Sequence, residues 1–138
     1  MMEASLEKLS GERREQISAL AQNLRANYKS LGVPVTKAVE DGEMLSCGIQ
    51  VIYTPGHTPG HISLYLKDCR MLISGDALNI EDGKLMPAPE WSLCDRAAMQ
   101  NSLRKIASLD IDTIVCFHGG VFKENVRAKL QELADHSF

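Results

Sequence analysis

Apolar and polar positions in the first third of the chain repeat with a helical period. Between Ser10 and Leu31, apolar residues fall at Ile17, Leu20, Ala21, Leu24, Tyr28 and Leu31, one face of a 3.6-residue helix. Arg13, Arg14, Gln22 and Arg25 occupy the other side. Ser10 is placed as N-cap with Glu12 in the first turn, and Gly32 followed by Pro34 as the stop. The pattern predicts an amphipathic helix over 10–31 that packs on a sheet and shows a charged face to solvent.

From Val33 the pattern changes to short apolar runs between turn signals, the first being Asp41-Gly42. Ile49 to Tyr53, Ile62 to Leu66 and Met71 to Ser74 read as strands, the last two joined as a hairpin through Lys67-Asp68. Asp82-Gly83 and Pro87-Ala88-Pro89 mark a loop. Asp95 is placed as the N-cap of a helix whose inner face carries Met99, Leu103 and Ile106. Ile111 to Phe117 is a further strand, and a last helix carries Val126, Leu130 and Leu133. Strands that are both paired and separated by helices fit an α/β or α+β sandwich.

Composition adds bounds. The 138 residues are 44% hydrophobic and 24% charged, ordinary for one globular domain over 1–138. A net charge of −3 without a Lys/Arg cluster argues against a nucleic-acid partner. No apolar run approaches the roughly 20 residues that span a bilayer, and no apolar h-region follows Met1-Met2-Glu3. The expectation is a cytoplasmic chain without signal peptide or membrane partner. Cys47, Cys69, Cys94 and Cys116 form no Cys-x-x-Cys pair, and the expectation is four reduced thiols, mostly buried.

The candidate chemistry sits where strands end. Thr54-Pro55-Gly56-His57-Thr58-Pro59-Gly60-His61 lies between two predicted strands. Its Pro-Gly units fix the backbone path, which suits an imidazole that must be held in one place. Ser74-Gly75-Asp76 ends a second strand with a carboxylate, and Phe117-His118-Gly119-Gly120 ends a third with an imidazole. Alone, a strand-end Asp is usually a cap and a lone His a surface residue, the reading kept for His136. Together, two imidazoles and a carboxylate have the composition of a zinc or iron site.

These residues resemble the later metal-binding motifs of the metallo-β-lactamase superfamily. The order matches, with 19 residues from His57 to Asp76 and 42 more to His118. The resemblance runs over about 39–133 and has the flavour of glyoxalase-II-like hydrolases. It implies an αβ/βα sandwich in which His57 completes a first metal site, His118 a second, and Asp76, the candidate catalytic residue, bridges two zinc ions. Iron or manganese would suit the same ligands. A metal pair lowers the pKa of a shared water, and the hydroxide so formed would attack the acyl carbon of a thioester or other ester. His61 is assigned to support of the ligands rather than ligation.

The family's first motif, His-x-His-x-Asp-His, has no counterpart, because no histidine precedes residue 57. The chain therefore reads as the C-terminal part of an incomplete fold, with two ligands per metal, one of them shared. The expectation is weak metal binding, little activity alone, and self-association through an uncovered core face. Two alternatives remain: a noncatalytic remnant or interaction module, and part of a mononuclear iron persulfide dioxygenase.

Overall fold

The computed structural model describes residues 11–31 and 33–135. Ser10, Gly32 and His136, to which the sequence assigns a cap, a stop and a surface role, lie outside the described residues. The chain forms two compact units, residues 1–38 and 39–138. In the first, helix α1 spans Gly11–Leu31. Its apolar stripe is not sealed: Ile17 and Ala21 are half-buried, but Leu20 and Leu24 are 59% and 49% exposed.

The described residues of the second unit hold seven strands and two helices. Strands β1 (Ile49–Tyr53), β2 (Ile62–Leu66), β3 (Met71–Gly75), β6 (Thr113–Cys116) and β7 (Gly120–Phe122) form one mixed sheet in the order β1-β2-β3-β6-β7. Within it β3 and β6 run parallel; the other neighbours are antiparallel. Helix α2 (Arg96–Ala107) supplies the crossover, starting at Asp95, whose carboxylate accepts the Ala98 N–H at 2.9 Å. Helix α3 spans Val126–Asp135.

Period-two alternation sorts the two faces of the sheet. Tyr65, Leu72, Ile114 and Cys116 are buried with Met99, Leu103 and Ile106 of α2 and Val126 and Leu130 of α3. Each fully buried Leu or Ile in this layer is worth roughly 1.5–3 kcal/mol. On the alternate positions Leu64, Leu66, Ile73 and Val115 are half-buried, and Ile62 and Val121 are exposed.

Three expectations need correction. The segment that reads as a loop around Asp82-Gly83 is a hairpin, β4 (Leu78–Glu81) with β5 (Lys84–Pro87). Positive φ at Asp82 (49°) and Gly83 (75°) gives the two-residue turn that Asp-Gly favours. Leu78-Asn79-Ile80-Glu81 alternates apolar and polar residues ahead of Asp-Gly, but the run is only four residues long and Lys84-Leu85-Met86-Pro87 does not mirror it before the Pro87-Ala88-Pro89 loop signal. Strand β7 has no counterpart among the predicted elements, because a three-residue strand opening on glycine carries almost no pattern. The thiols are mostly exposed, not buried: Cys47, Cys69 and Cys94 sit in turns and loops outside the sheet, and Cys116 is the buried one.

Among the described residues no helix is long and apolar enough to cross a membrane.

Candidate metal centre

Sheet register gathers the candidate residues on one rim. Antiparallel pairing sets the start of β2 against the end of β3, since Leu64 faces Ile73. Parallel pairing sets the end of β6 beside the end of β3, with Gly75 opposite Cys116. The 54–61 loop, Asp76 and His118 all leave the sheet at that end. The β3–β6 register shifts between Ile73 and Gly75, an irregularity of the kind that re-aims the next side chain.

His57 is held from two sides. The carbonyl of Gly56 accepts N–H bonds from Cys94 (2.8 Å) and Asp95 (3.0 Å), which stitches the loop to the start of α2. Gly56 has φ +141°, and a Cβ there would lie 2.5 Å from Cβ of Met99, so the close approach requires glycine. The ring of His57 places Nδ1 3.3 Å from Oγ of Ser92 and Nε2 3.9 Å from Oδ2 of Asp76. His118 places Nε2 3.3 Å from Oδ1 of the same carboxylate. Its side chain is 76% exposed, but its carbonyl is fixed by the Ile80 N–H at 3.0 Å.

His61 is engaged differently. Its Nε2 accepts the backbone N–H of Asp76 at 3.0 Å. The proton therefore sits on Nδ1, which lies 2.9 Å from Oγ1 of Thr54. Thr54 continues to Oγ of Ser63 at 3.0 Å, and Ser63 donates to the Ser74 carbonyl at 3.2 Å. Thr54, Ser63 and Ser74 are fully buried. Burial pushes the His61 pKa below the ordinary imidazole value, which keeps the ring in the neutral form that this chain of bonds needs.

The structure thus brings His57, Asp76 and His118 together around one carboxylate, and places His61 behind it with both ring nitrogens used. Ser92, Thr54 and Ser63 are not singled out by the sequence. Thr54 opens the His57 motif and is in view there; Ser92 lies 35 residues from His57, and a lone serine carries no signal at that distance.

The donor set can be tested against a cation. Oδ1 of Asp76 is buried without a hydrogen-bond donor, although His118 stands beside it. The Ser92 hydroxyl lies 2.8 Å from the Pro89 carbonyl, and with its proton there it accepts from Nδ1 of His57. Nε2 of a neutral His57 then carries a lone pair and faces a carboxylate oxygen. Two electron-rich atoms at 3.9 Å fit a cation between them, and the composition suits zinc or iron. Among the described residues, however, no group of three His, Cys, Asp or Glu side chains is close enough to hold a metal ion unaided. The residues fit part of a metal centre. Beside them lies a cleft of about 310 Å³, with Asn79, Pro89 and Trp91 in its wall.

Comparison with known proteins identifies the family. The family model of the metallo-beta-lactamase superfamily matches residues 3–118, and the chain belongs to that superfamily. A Bacillus subtilis protein named "Probable metallo-hydrolase YflN" is 35% identical over 96 residues, covering 61% of this chain and 36% of the relative. A hydroxyacylglutathione hydrolase of Mesorhizobium japonicum is 37% identical over 89 residues, covering 61% of this chain and 32% of the relative. The chain thus spans only about a third of the length of these curated relatives. Among solved structures, a metallo-beta-lactamase family protein of Thermus thermophilus superposes with TM-score 0.57 at 25% identity, over 88% of this chain and 46% of that one. The protein TTHA1623, solved in a di-iron-bound form, superposes with TM-score 0.56 at 27% identity, over 78% of this chain and 55% of that one. The fold is that of the metallo-beta-lactamase proteins, spanned in part.

Proposed function

We propose that His57, Asp76 and His118 are ligands in a metal-dependent hydrolase site that cleaves a thioester or other ester of a small acyl compound. The observation that carries this reading is the buried Oδ1 of Asp76, without a donor, on a carboxylate flanked by two imidazoles. The relatives named metallo-hydrolase and hydroxyacylglutathione hydrolase support the reaction class. Zinc is the leading metal, and the di-iron form of one structural neighbour makes iron the next choice. Bound metal would supply an activated water and polarise the acyl carbonyl. Asp76, with one oxygen toward each histidine, would bridge; His57 and His118 would each bind through Nε2. The cleft beside Trp91 would take the apolar part of the substrate.

Two protein donors per metal, one shared, fall short of the three that a catalytic zinc normally has. The chain by itself should therefore bind zinc weakly and turn over little thioester. Zinc titration followed by metal analysis, with Asp76→Ala as control, tests the ligands. Uptake that Asp76→Ala leaves unchanged refutes them. Robust turnover with zinc, abolished by Asp76→Ala, would show that further donors reach the site. The shortage of donors among the described residues also favours a second reading, a noncatalytic remnant or interaction module. A chain that takes up no zinc at any concentration supports it.

A further inference from the structure

Ser92 sits in a single 3-10 turn, Glu90–Ser92, on the segment that enters α2. Both its N–H (2.9 Å) and its hydroxyl (2.8 Å) are directed to the Pro89 carbonyl. A serine hydroxyl has one proton and two acceptor lone pairs. When the proton goes to Pro89, the shorter of the two contacts, the hydroxyl can only accept from His57 Nδ1, 3.3 Å away. The two segments that carry Ser92 and His57 are clamped to each other, since Cys94 and Asp95 both bond the carbonyl of Gly56, the residue before His57. Neither partner is free to drift from the other.

We infer that Ser92 is a positioning residue for His57: it holds the ring as the Nδ1–H tautomer and so presents Nε2, unprotonated, to Asp76. The inference rests on the reading of His57 as a metal ligand. A ligating imidazole needs its other nitrogen held by an acceptor, which fixes tautomer and ring direction. A free histidine side chain prefers the opposite tautomer, with the proton on Nε2, the atom that must stay bare. His61 uses the same device with a different acceptor, Thr54 Oγ1, but spends its Nε2 on the Asp76 N–H. The two histidines of one loop are thus set alike in tautomer and apart in role by the hydroxyls behind them.

Long-range ¹⁵N–¹H NMR of the imidazoles tests this on the full, metal-free chain at about pH 8, above the ordinary imidazole pKa. Wild type should show His57 mainly as the Nδ1–H form. Ser92→Ala should move His57 toward Nε2–H, while Ser92→Thr, which keeps the hydroxyl, should restore the wild-type pattern. His61 serves as the internal control, because an unchanged Nδ1–H signature there shows that the rim is still folded. Zinc affinity should fall roughly 10–100-fold in Ser92→Ala and recover in Ser92→Thr. His57 found as Nε2–H in wild type, or unchanged in Ser92→Ala, overturns the assignment. A wild-type chain that shows the Nδ1–H form but takes up no zinc overturns the ligand reading instead, and the tautomer data still decide Ser92.

Discussion

The backbone N–H of Asp76 donates to Nε2 of His61 at 3.0 Å. The bond joins the second histidine of the 54–61 loop to the residue whose carboxylate the first histidine faces. It also separates the two rings in function. Nε2 of His57 faces a carboxylate oxygen at 3.9 Å, whereas His61 has no nitrogen left to offer. In a zinc titration of the chain, His57→Ala should remove uptake at its site. His61→Ala should retain uptake with affinity lowered roughly 10–100-fold. Metal analysis of the two variants side by side checks this, and the reverse pattern would mean the ligand is misassigned.

Gly75 is the reason His61 fits where it does. Its φ is +59°, and a Cβ on it would stand 2.7 Å from Nε2 of His61. Gly75→Ala therefore meets both a left-handed backbone and an imidazole that can shift only by giving up its hydrogen bonds to Thr54 and Asp76, and should cost about 1–3 kcal/mol. His61→Ala should cost a similar amount by itself, about 1–3 kcal/mol, because it leaves the Asp76 N–H without its acceptor and the buried Thr54 hydroxyl with Ser63 as its remaining side-chain partner. The double variant should cost less than the sum, since removing the ring opens the space that the new methyl needs. Denaturant unfolding of the four proteins closes the cycle. Strict additivity would show that the ring and the glycine are not in contact.

The same residues show what a sequence can announce. His57, His61, Asp76 and His118 are legible as candidates because each lies in a glycine-bearing loop or turn that adjoins a strand end. The helix at Asp95 is legible because its N-cap and its 3.6-residue stripe agree, and the observed Asp95–Ala98 bond is the one the pattern implies. Ser92 is not legible, because its partner is 35 residues distant and nothing in Pro-Glu-Trp-Ser points back to a histidine. The β4–β5 hairpin escapes for a different reason. Its first strand, Leu78-Asn79-Ile80-Glu81, does alternate ahead of Asp-Gly, but it is four residues long and its partner runs into Pro87-Ala88-Pro89, so the segment reads as a loop. Residue type alone misleads on cysteine burial, whereas exposure at Cys47, Cys69 and Cys94 follows from their place in turns and loops.

Gly119 positions His118 in a way that one methyl group can test. Its φ is +94°, and a Cβ there would lie 2.3 Å from the Ile80 carbonyl oxygen and 2.5 Å from Ile80 Cβ. The obstruction includes backbone, so it cannot swing aside. Gly119→Ala should push the 118–119 segment off β4 and lengthen or break the Ile80 N–H bond to the His118 carbonyl. The expected cost is about 1–3 kcal/mol, with His118 carried away from Asp76. Amide exchange at Ile80 should rise in the variant by roughly 10-fold or more, on the order of the ~1.4 kcal/mol that each factor of ten represents. An Ile80 amide as protected as in wild type would refute the contact.

Asp41 ties down the entry to the His57 loop. Its Oδ1 accepts the N–H of Tyr53, the final residue of β1, at 2.7 Å. Nζ of Lys105 on α2 reaches both Asp41 oxygens at 2.6 Å and the Tyr53 carbonyl at 3.2 Å. One carboxylate therefore joins the turn before β1, the end of that strand and the helix behind the loop. The hydrogen bond from Lys105, followed by that from Tyr53, holds the Asp41 pKa below its ordinary value. A depressed folded-state pKa fixes the sign of the effect. The stabilisation is fully present above the unfolded carboxylate value near ~3.9, and is lost as pH falls through the lower folded value. Asp41→Asn keeps an acceptor for Tyr53 but removes the charge that Lys105 meets. At neutral pH it should cost no more than about 1 kcal/mol, the scale of an exposed ion pair. Urea unfolding across a pH series should show a constant gap between the two proteins down to about pH 4, closing at lower pH as the wild-type carboxyl takes up its proton. A gap that stays open to about pH 2, below the range of most carboxyls, would place its origin in packing rather than charge.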